Sequence, residues 1–190
     1  MSDAAPYDAK SSTLRESAVD RDSSVRERVT SLYESYREAI YRFLINHGLP
    51  PATAQDLAQD VFVRLFVALS EGGVIESEKA WLYGVAAKVA VNFWRREGRP
   101  MWVELDGSPV MTQSFLSNGP TPEAAVIEEQ RVQRVMAAMD RLPEMQRLGI
   151  HLRMQGLNYR AIAKALGVSL STTSELLSTA VEHLRSAANE

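Results

Sequence analysis

Two stretches of this sequence combine residue types that can act on nucleic acid. Between Lys79 and Arg99 the bases Lys79, Lys88, Arg95, Arg96 and Arg99 meet one acid, Glu97, and the rings of Trp81, Tyr83, Trp94 and nearby Trp102 are interleaved with them. Cations neutralise phosphate and release its counterions, while rings stack on unpaired bases, and together these hold single-stranded DNA. The plain alternative is tryptophans in a core and arginines in solvent. Trp81 suits that core reading, whereas the Trp94-Arg95-Arg96 end favours nucleic acid.

The second stretch is Gln155 to Arg185, QGLNYRAIAKALGVSLSTTSELLSTAVEHLR. Tyr159, Ile162, Ala163 and Leu166 recur at i, i+3, i+4 and i+7, the apolar face of a helix. Gly167 suits a left-handed cap, and Ser169 or Ser171 can cap a following helix. Thr173, Leu177, Ala180 and Leu184 give that helix a buried stripe. Ala163 and Gly167 are small where the two helices are expected to cross. This is the pattern of a helix-turn-helix, whose second helix enters the DNA major groove. Yet from Ser169 to Val181 there is no Lys or Arg, and Glu175 is acidic. Thr172, Leu176 and Thr179 are expected to form an exposed, partly apolar strip that meets thymine methyls or a protein.

A third surface lies on a helix expected over about residues 52–69. Asp56, Gln59, Asp60 and Arg64 mark a polar edge with Val63 and Val67 beside it. An Asp60–Arg64 pair at i, i+4 stabilises by only a few tenths of a kcal/mol. The edge is either a solvated face or a surface for a protein partner.

The elements that must position these residues are all helical. The chain has 190 residues, 45% of them hydrophobic, with net charge −3, so a nucleic-acid site must be local rather than a property of the whole molecule. A polar, disordered tail is expected over residues 1–24. A helix over about residues 25–47 is expected to bury Val29, Leu32, Tyr33, Tyr36, Ile40, Phe43 and Leu44 and to stop at Gly48-Leu49-Pro50-Pro51. With the helices over about 52–69 and 77–97 it makes a three-helix domain, residues 25–100. Prolines and glycines over 101–122 indicate an irregular linker. Helices over about 123–141 and 144–155 lead into the helix-turn-helix and complete a second domain, residues 123–190. The fold class is therefore all-α, two small helical domains joined by a linker.

Other chemistry is excluded or unsupported. With no Cys there are no disulfides, thiolate zinc sites or Cys nucleophile. His47, His151 and His183 lack ligand spacing, and there is no Gly-rich phosphate loop or nucleophile elbow. The expectation is a non-enzyme with no cofactor and no metal. No signal-peptide core or membrane-length apolar run is present, so a cytoplasmic protein without membrane insertion is expected.

Certain motifs resemble a known family. Asp56-Leu57-Ala58-Gln59-Asp60-Val61-Phe62-Val63-Arg64, then Ala80-Trp81-Leu82-Tyr83, then Asn92, Arg95 and Arg96, resemble the second conserved region of bacterial RNA polymerase sigma factors. Leu142-Pro143-Glu144-Met145-Gln146-Arg147, Gly156-Leu157-Asn158-Tyr159 and Ile162 to Ser169 resemble their fourth. The two-domain form is similar to the extracytoplasmic-function group of the sigma-70 family. The resemblance implies a transcription initiation factor that binds core RNA polymerase and directs it to promoter DNA. It assigns polymerase binding to Asp56, Gln59, Asp60 and Arg64. It places melting and holding of the −10 element on Lys88, Asn92, Trp94, Arg95, Arg96 and Arg99. The −35 element would fall to Arg160, Lys164, Ser171, Thr172, Ser174, Glu175, Ser178 and Thr179. An anti-sigma factor is a family expectation as a partner. Two alternatives stay open: a stand-alone helix-turn-helix regulator, and a sigma-derived interaction module with weakened −35 reading.

Overall fold

A computed structural model of the protein describes residues 8–98 and 122–189, with side chains over 22–98 and 129–189. Arg99, Trp102 and the expected linker lie outside the described residues. Within them every regular element is a helix: α1 (Asp8–Asn46), α2 (Pro51–Ser70), α3 (Glu78–Arg96), α4 (Pro122–Arg141), α5 (Glu144–Met154), α6 (Tyr159–Leu166) and α7 (Leu170–Asn189).

The first helix corrects the expected boundary. It starts at Asp8, inside the segment assigned to a polar tail, because no Gly or Pro interrupts the chain from there to Asn46. Its end is local chemistry. Gly48, at φ +74°, takes the left-handed conformation and lets Leu49 N–H reach the Leu44 carbonyl at 3.2 Å and Gly48 N–H the Ile45 carbonyl at 2.9 Å. His47, the first residue beyond the helix, is held in this turn and is fully buried.

α1, α2 and α3 pack on one another through Ile40, Leu44, Val61, Leu65 and Leu82, all fully buried. Phe43 meets the Tyr83 ring edge-on, with centroids 5.2 Å apart. Ser77 opens α3 by accepting the Ala80 N–H at 3.2 Å. α4 lies along α7, and α5 and α6 both pack on α7. The two groups of helices do not stand apart: α3 also packs against α5 and α6, and buried apolar side chains form one continuous cluster from Ile40 to Ala180.

Three details of the second group differ from expectation. Tyr159 is 42% exposed rather than part of the α6 apolar face; the Arg153 guanidinium lies over its ring at 6.0 Å. Val132, whose helical spacing from Val135, Met136 and Met139 predicts a place in one apolar stripe of α4, is 45% exposed. The close helix crossing falls at Gly149 of α5, where an added Cβ would stand 2.8 Å from Leu176 Cδ2 and 3.2 Å from Leu177 Cδ2. Both leucines are buried, so neither can swing into solvent. Gly149→Val should therefore lower stability by about 1–3 kcal/mol through overpacking, read as a lower denaturation midpoint with unchanged m-value.

Candidate nucleic-acid interface

Helical spacing puts Lys88, Asn92, Arg95 and Arg96 on one side of α3, at i, i+4, i+7 and i+8. Lys88, Arg95 and Arg96 are exposed and Asn92 is half-buried. This is a cationic strip with an amide inside it, able to follow a phosphate backbone and bond a base edge. Trp94 does not join it. It is only 2% exposed, turned to the opposite side, with its ring meeting His47 at 6.3 Å between centroids. In this conformation Trp94 cannot stack on a base, which corrects its placement beside the arginines. Trp81 is half-buried against the core. Tyr83 is buried, and burial first, then nearby Tyr36, pushes its phenol above its ordinary value.

On α2, Asp56, Gln59 and Arg64 are exposed and Asp60 half-buried. Arg64 Nε donates to Asp60 Oδ2 at 2.7 Å. Val63 and Val67 are 60% and 46% exposed next to them. Charged, amide and apolar groups thus share one accessible face, the composition of a protein-binding surface.

In the helix-turn-helix, Gly167 sits at φ +70° and its N–H reaches the Ala163 carbonyl at 2.9 Å. Ser169 caps α7 by accepting the Thr172 N–H at 3.1 Å. Its hydroxyl also lies 2.8 Å from the Ser171 hydroxyl and 2.7 Å from that of Thr172. Ser171, Ser174, Glu175 and Ser178 are exposed along one side of α7, with Thr172 and Thr179 half-buried at its margin. Arg160 and Lys164 are exposed on α6. Leu176 is 4% exposed, because it fills the space over Gly149. The expected Thr172–Leu176–Thr179 strip is therefore not an exposed apolar surface, and the accessible face of α7 is mostly hydroxyl.

The arrangement also contains a cluster that periodicity does not reveal. His47 Nδ1–H donates to Glu144 Oε1 at 2.5 Å, and His47 Nε2 lies 2.9 Å from His151 Nδ1. Arg147 Nη2 bonds Glu144 Oε2, and Arg147 Nη1 reaches the Asp140 carbonyl at 3.3 Å. The Nε2–Nδ1 contact holds one proton, since two N–H groups cannot point at each other. Burial would raise the Glu144 carboxyl, but the hydrogen bond and charge of His47, together with Arg147, outweigh it and hold the group below its usual range. Burial, reinforced by His47 and Arg147 and opposed by Glu144, depresses His151 to about 3. The only sequence signal was on α5, where Glu144, Arg147 and His151 follow one another at i, i+3 and i+7 inside an apolar helix.

An all-helical chain with a cationic helix in one half and a helix-turn-helix in the other defines a DNA-engaging protein of two linked modules. The family model described as Sigma-70 region 2 matches residues 32–100, and that described as Sigma-70, region 4 matches residues 138–186. Among curated relatives, the RNA polymerase sigma factor YlaC of Bacillus subtilis (strain 168) is 28% identical over 80% of this chain and 87% of its own. The ECF RNA polymerase sigma factor SigX of the same strain is 28% identical over 77% of this chain and 76% of its own. The structure of CnrH in complex with the cytosolic domain of CnrY shares the fold, with TM-score 0.51 and 20% identity over 90% of this chain and 94% of that one. The chain belongs to the sigma-70 family, in its extracytoplasmic-function group, and is a promoter-directing transcription initiation factor. Among the described residues no helix is long and apolar enough to cross a membrane.

The buried cluster makes contact between the two modules sensitive to pH. Both Glu144 and His151 are held below their ordinary values, so the undocked chain binds more protons in acid. Contact should be complete above the ordinary histidine value of 6.5 and lost progressively as pH falls toward 3. From pH 7.5 to 5.5 the His151 contribution alone should shift the equilibrium toward undocking by about tenfold. Asp140, whose carboxyl burial raises, opposes this at the acid end. Small-angle scattering across this range should show expansion without loss of helical circular dichroism.

Proposed function

We propose that the three accessible surfaces divide the work of initiation. The α2 face of Asp56, Gln59, Asp60 and Arg64 engages core RNA polymerase. The α3 strip of Lys88, Asn92, Arg95 and Arg96, with Arg99 beyond it, holds the melted −10 element. The hydroxyl face of α7, with Arg160 and Lys164 beside it, contacts the −35 element. The observation that carries this reading is the exposed cationic side of α3, the strongest local concentration of positive charge in a chain of net charge −3. Such a strip binds phosphate whatever the base sequence, and Asn92 adds a base-edge donor and acceptor.

This reading involves no catalytic residue in the chain itself and places its work in the cytoplasm, with RNA polymerase. The group to which the chain belongs suggests an anti-sigma factor as a further partner, which would compete for the same faces. The stand-alone regulator reading has little support from α7, which carries no Lys or Arg from Leu170 to Val181 to meet duplex phosphates. The interaction-module reading loses the apolar strip on which it rested, since Leu176 is buried.

In reconstituted transcription, the chain with core polymerase should initiate from a cognate promoter. Arg95→Ala with Arg96→Ala should reduce open-complex formation and lower the slope of log K against log salt by about 1–2, as expected for two lost phosphate contacts. Unchanged salt dependence would remove these arginines from the DNA site. Arg64→Glu should weaken binding to core polymerase about tenfold or more through like-charge contact with the partner face, with helicity unchanged. Competition against a labelled sigma factor measures it.

A further inference from the structure

We propose that Glu175 is the base-selecting residue of α7, and that it chooses cytosine in the −35 element by accepting a hydrogen bond from the cytosine N4 amino group in the major groove. This assignment rests on α7 being the −35 helix. Glu175 stands in the second turn of α7. Ser171 lies four residues before it and Ser178 three after, so the three share one side of the helix, and all are exposed. The opening turns of such a helix are the part that meets base edges. Among the described residues no side chain pairs with the Glu175 carboxylate, Arg160 and Lys164 of α6 included.

The hydroxyls around Glu175 are mostly committed to the helix itself. Ser178 Oγ donates to the Glu175 carbonyl at 3.0 Å. The Ser171 and Thr172 hydroxyls lie 2.8 and 2.7 Å from Ser169 Oγ, which caps the helix. Ser174 is exposed with its hydroxyl unengaged, but a hydroxyl donates and accepts alike and so separates bases poorly. Glu175 therefore combines free bonding capacity with a single polarity, since an ionised carboxylate only accepts. Guanine N7 and O6 and thymine O4 are also acceptors, which leaves cytosine N4 and adenine N6 as the donors of the major groove. Adenine sets the acceptor N7 beside its donor, an arrangement that suits an amide, whereas cytosine suits a carboxylate. A Glu175 that met no donor would lie unpaired between phosphate backbones, and α7 has no Lys or Arg from Leu170 to Val181 to offset it. The charge thus rejects wrong bases by repulsion, lowering affinity overall while sharpening choice.

The test uses holoenzyme assembled from the full chain and core RNA polymerase. It selects DNA from a promoter library randomised through both elements, and the bound molecules are sequenced. Because loss of a negative charge strengthens binding to every sequence, the readout is the ratio of bases at each position. The parent should prefer cytosine at one upstream position by about tenfold. Glu175→Gln should move the preference at that position to adenine, and Glu175→Ala should abolish it there, with preferences elsewhere kept. Gln and Ala are good helix formers at an exposed site, so both variants should keep native helical circular dichroism. The proposal alone is overturned if upstream preferences exist and neither variant changes them. It is overturned in favour of a protein contact if Glu175→Ala weakens binding to core polymerase and leaves base preference as it was. A parent that prefers no base upstream, while keeping a preference in the melted element, overturns the reading of α7 as the −35 helix and this assignment with it.

Discussion

A single carboxylate sets the relation between the two halves of this molecule. Glu144 is 5% exposed, and an isolated ionised carboxylate there would cost several kcal/mol. It is kept ionised by His47 from one module and Arg147 from its own helix. Because His47 directly follows α1 and is held in the Gly48 turn, its ring has a fixed direction toward α5. That fixed direction determines where α5 must lie, and α5 carries α6 and α7 with it through Gly149 and the leucines packed over it. The position of the reading helix relative to α3 is thus referred back to one turn at the end of α1.

The parts of this arrangement legible in the sequence were those written locally. The i, i+3, i+4, i+7 spacing of Ile162, Ala163 and Leu166, the cap at Gly167 and the hydroxyl at Ser169 are short-range relations, and α6 and α7 form where they indicate. The first helix extends beyond its apolar stripe because residues 8–24 are polar but contain nothing that breaks a helix. The crossing point was misplaced for a different reason. Ala163 and Gly167 are small, but Gly167 is spent on a left-handed cap, and the residue that admits a neighbouring helix is Gly149, visible only once Leu176 and Leu177 stand over it. The same packing withdrew Leu176 from the surface to which its spacing with Thr172 and Thr179 had assigned it.

The cluster between modules was illegible for a reason of distance along the chain. His47 and Glu144 are separated by 97 positions and His47 and His151 by 104, and no periodicity connects residues so far apart. A polar series inside an apolar helix shows that something must satisfy it, since buried polar groups are almost always bonded, but not what. Trp94 is the counterpart among the aromatics. Its neighbours in sequence are a half-buried Phe93 and an exposed Arg95, so α3 alone offers it either side, and only the approach of α1 decides. Its burial is therefore a property of the folded arrangement rather than of the basic stretch that contains it.

The charge distribution has a consequence for how promoter elements are read. α3 carries cations and the face of α7 from Ser171 to Thr179 carries hydroxyls with one acid, so the counterion release that drives most DNA affinity belongs mainly to one module. Hydroxyls both donate and accept, and each contact contributes modestly; a face of serines and threonines can discriminate groove edges but cannot hold a duplex by itself. Affinity for the second element must then come from tethering, in which a module bound elsewhere raises the effective concentration of its partner. A factor that cannot hold duplex DNA alone, but reads it when polymerase positions both modules, gains selectivity from weakness. The neutral surface of α7, at odds with an isolated DNA reader, is consistent with one of two linked readers whose energy of binding is supplied largely by the other and by the enzyme that carries them.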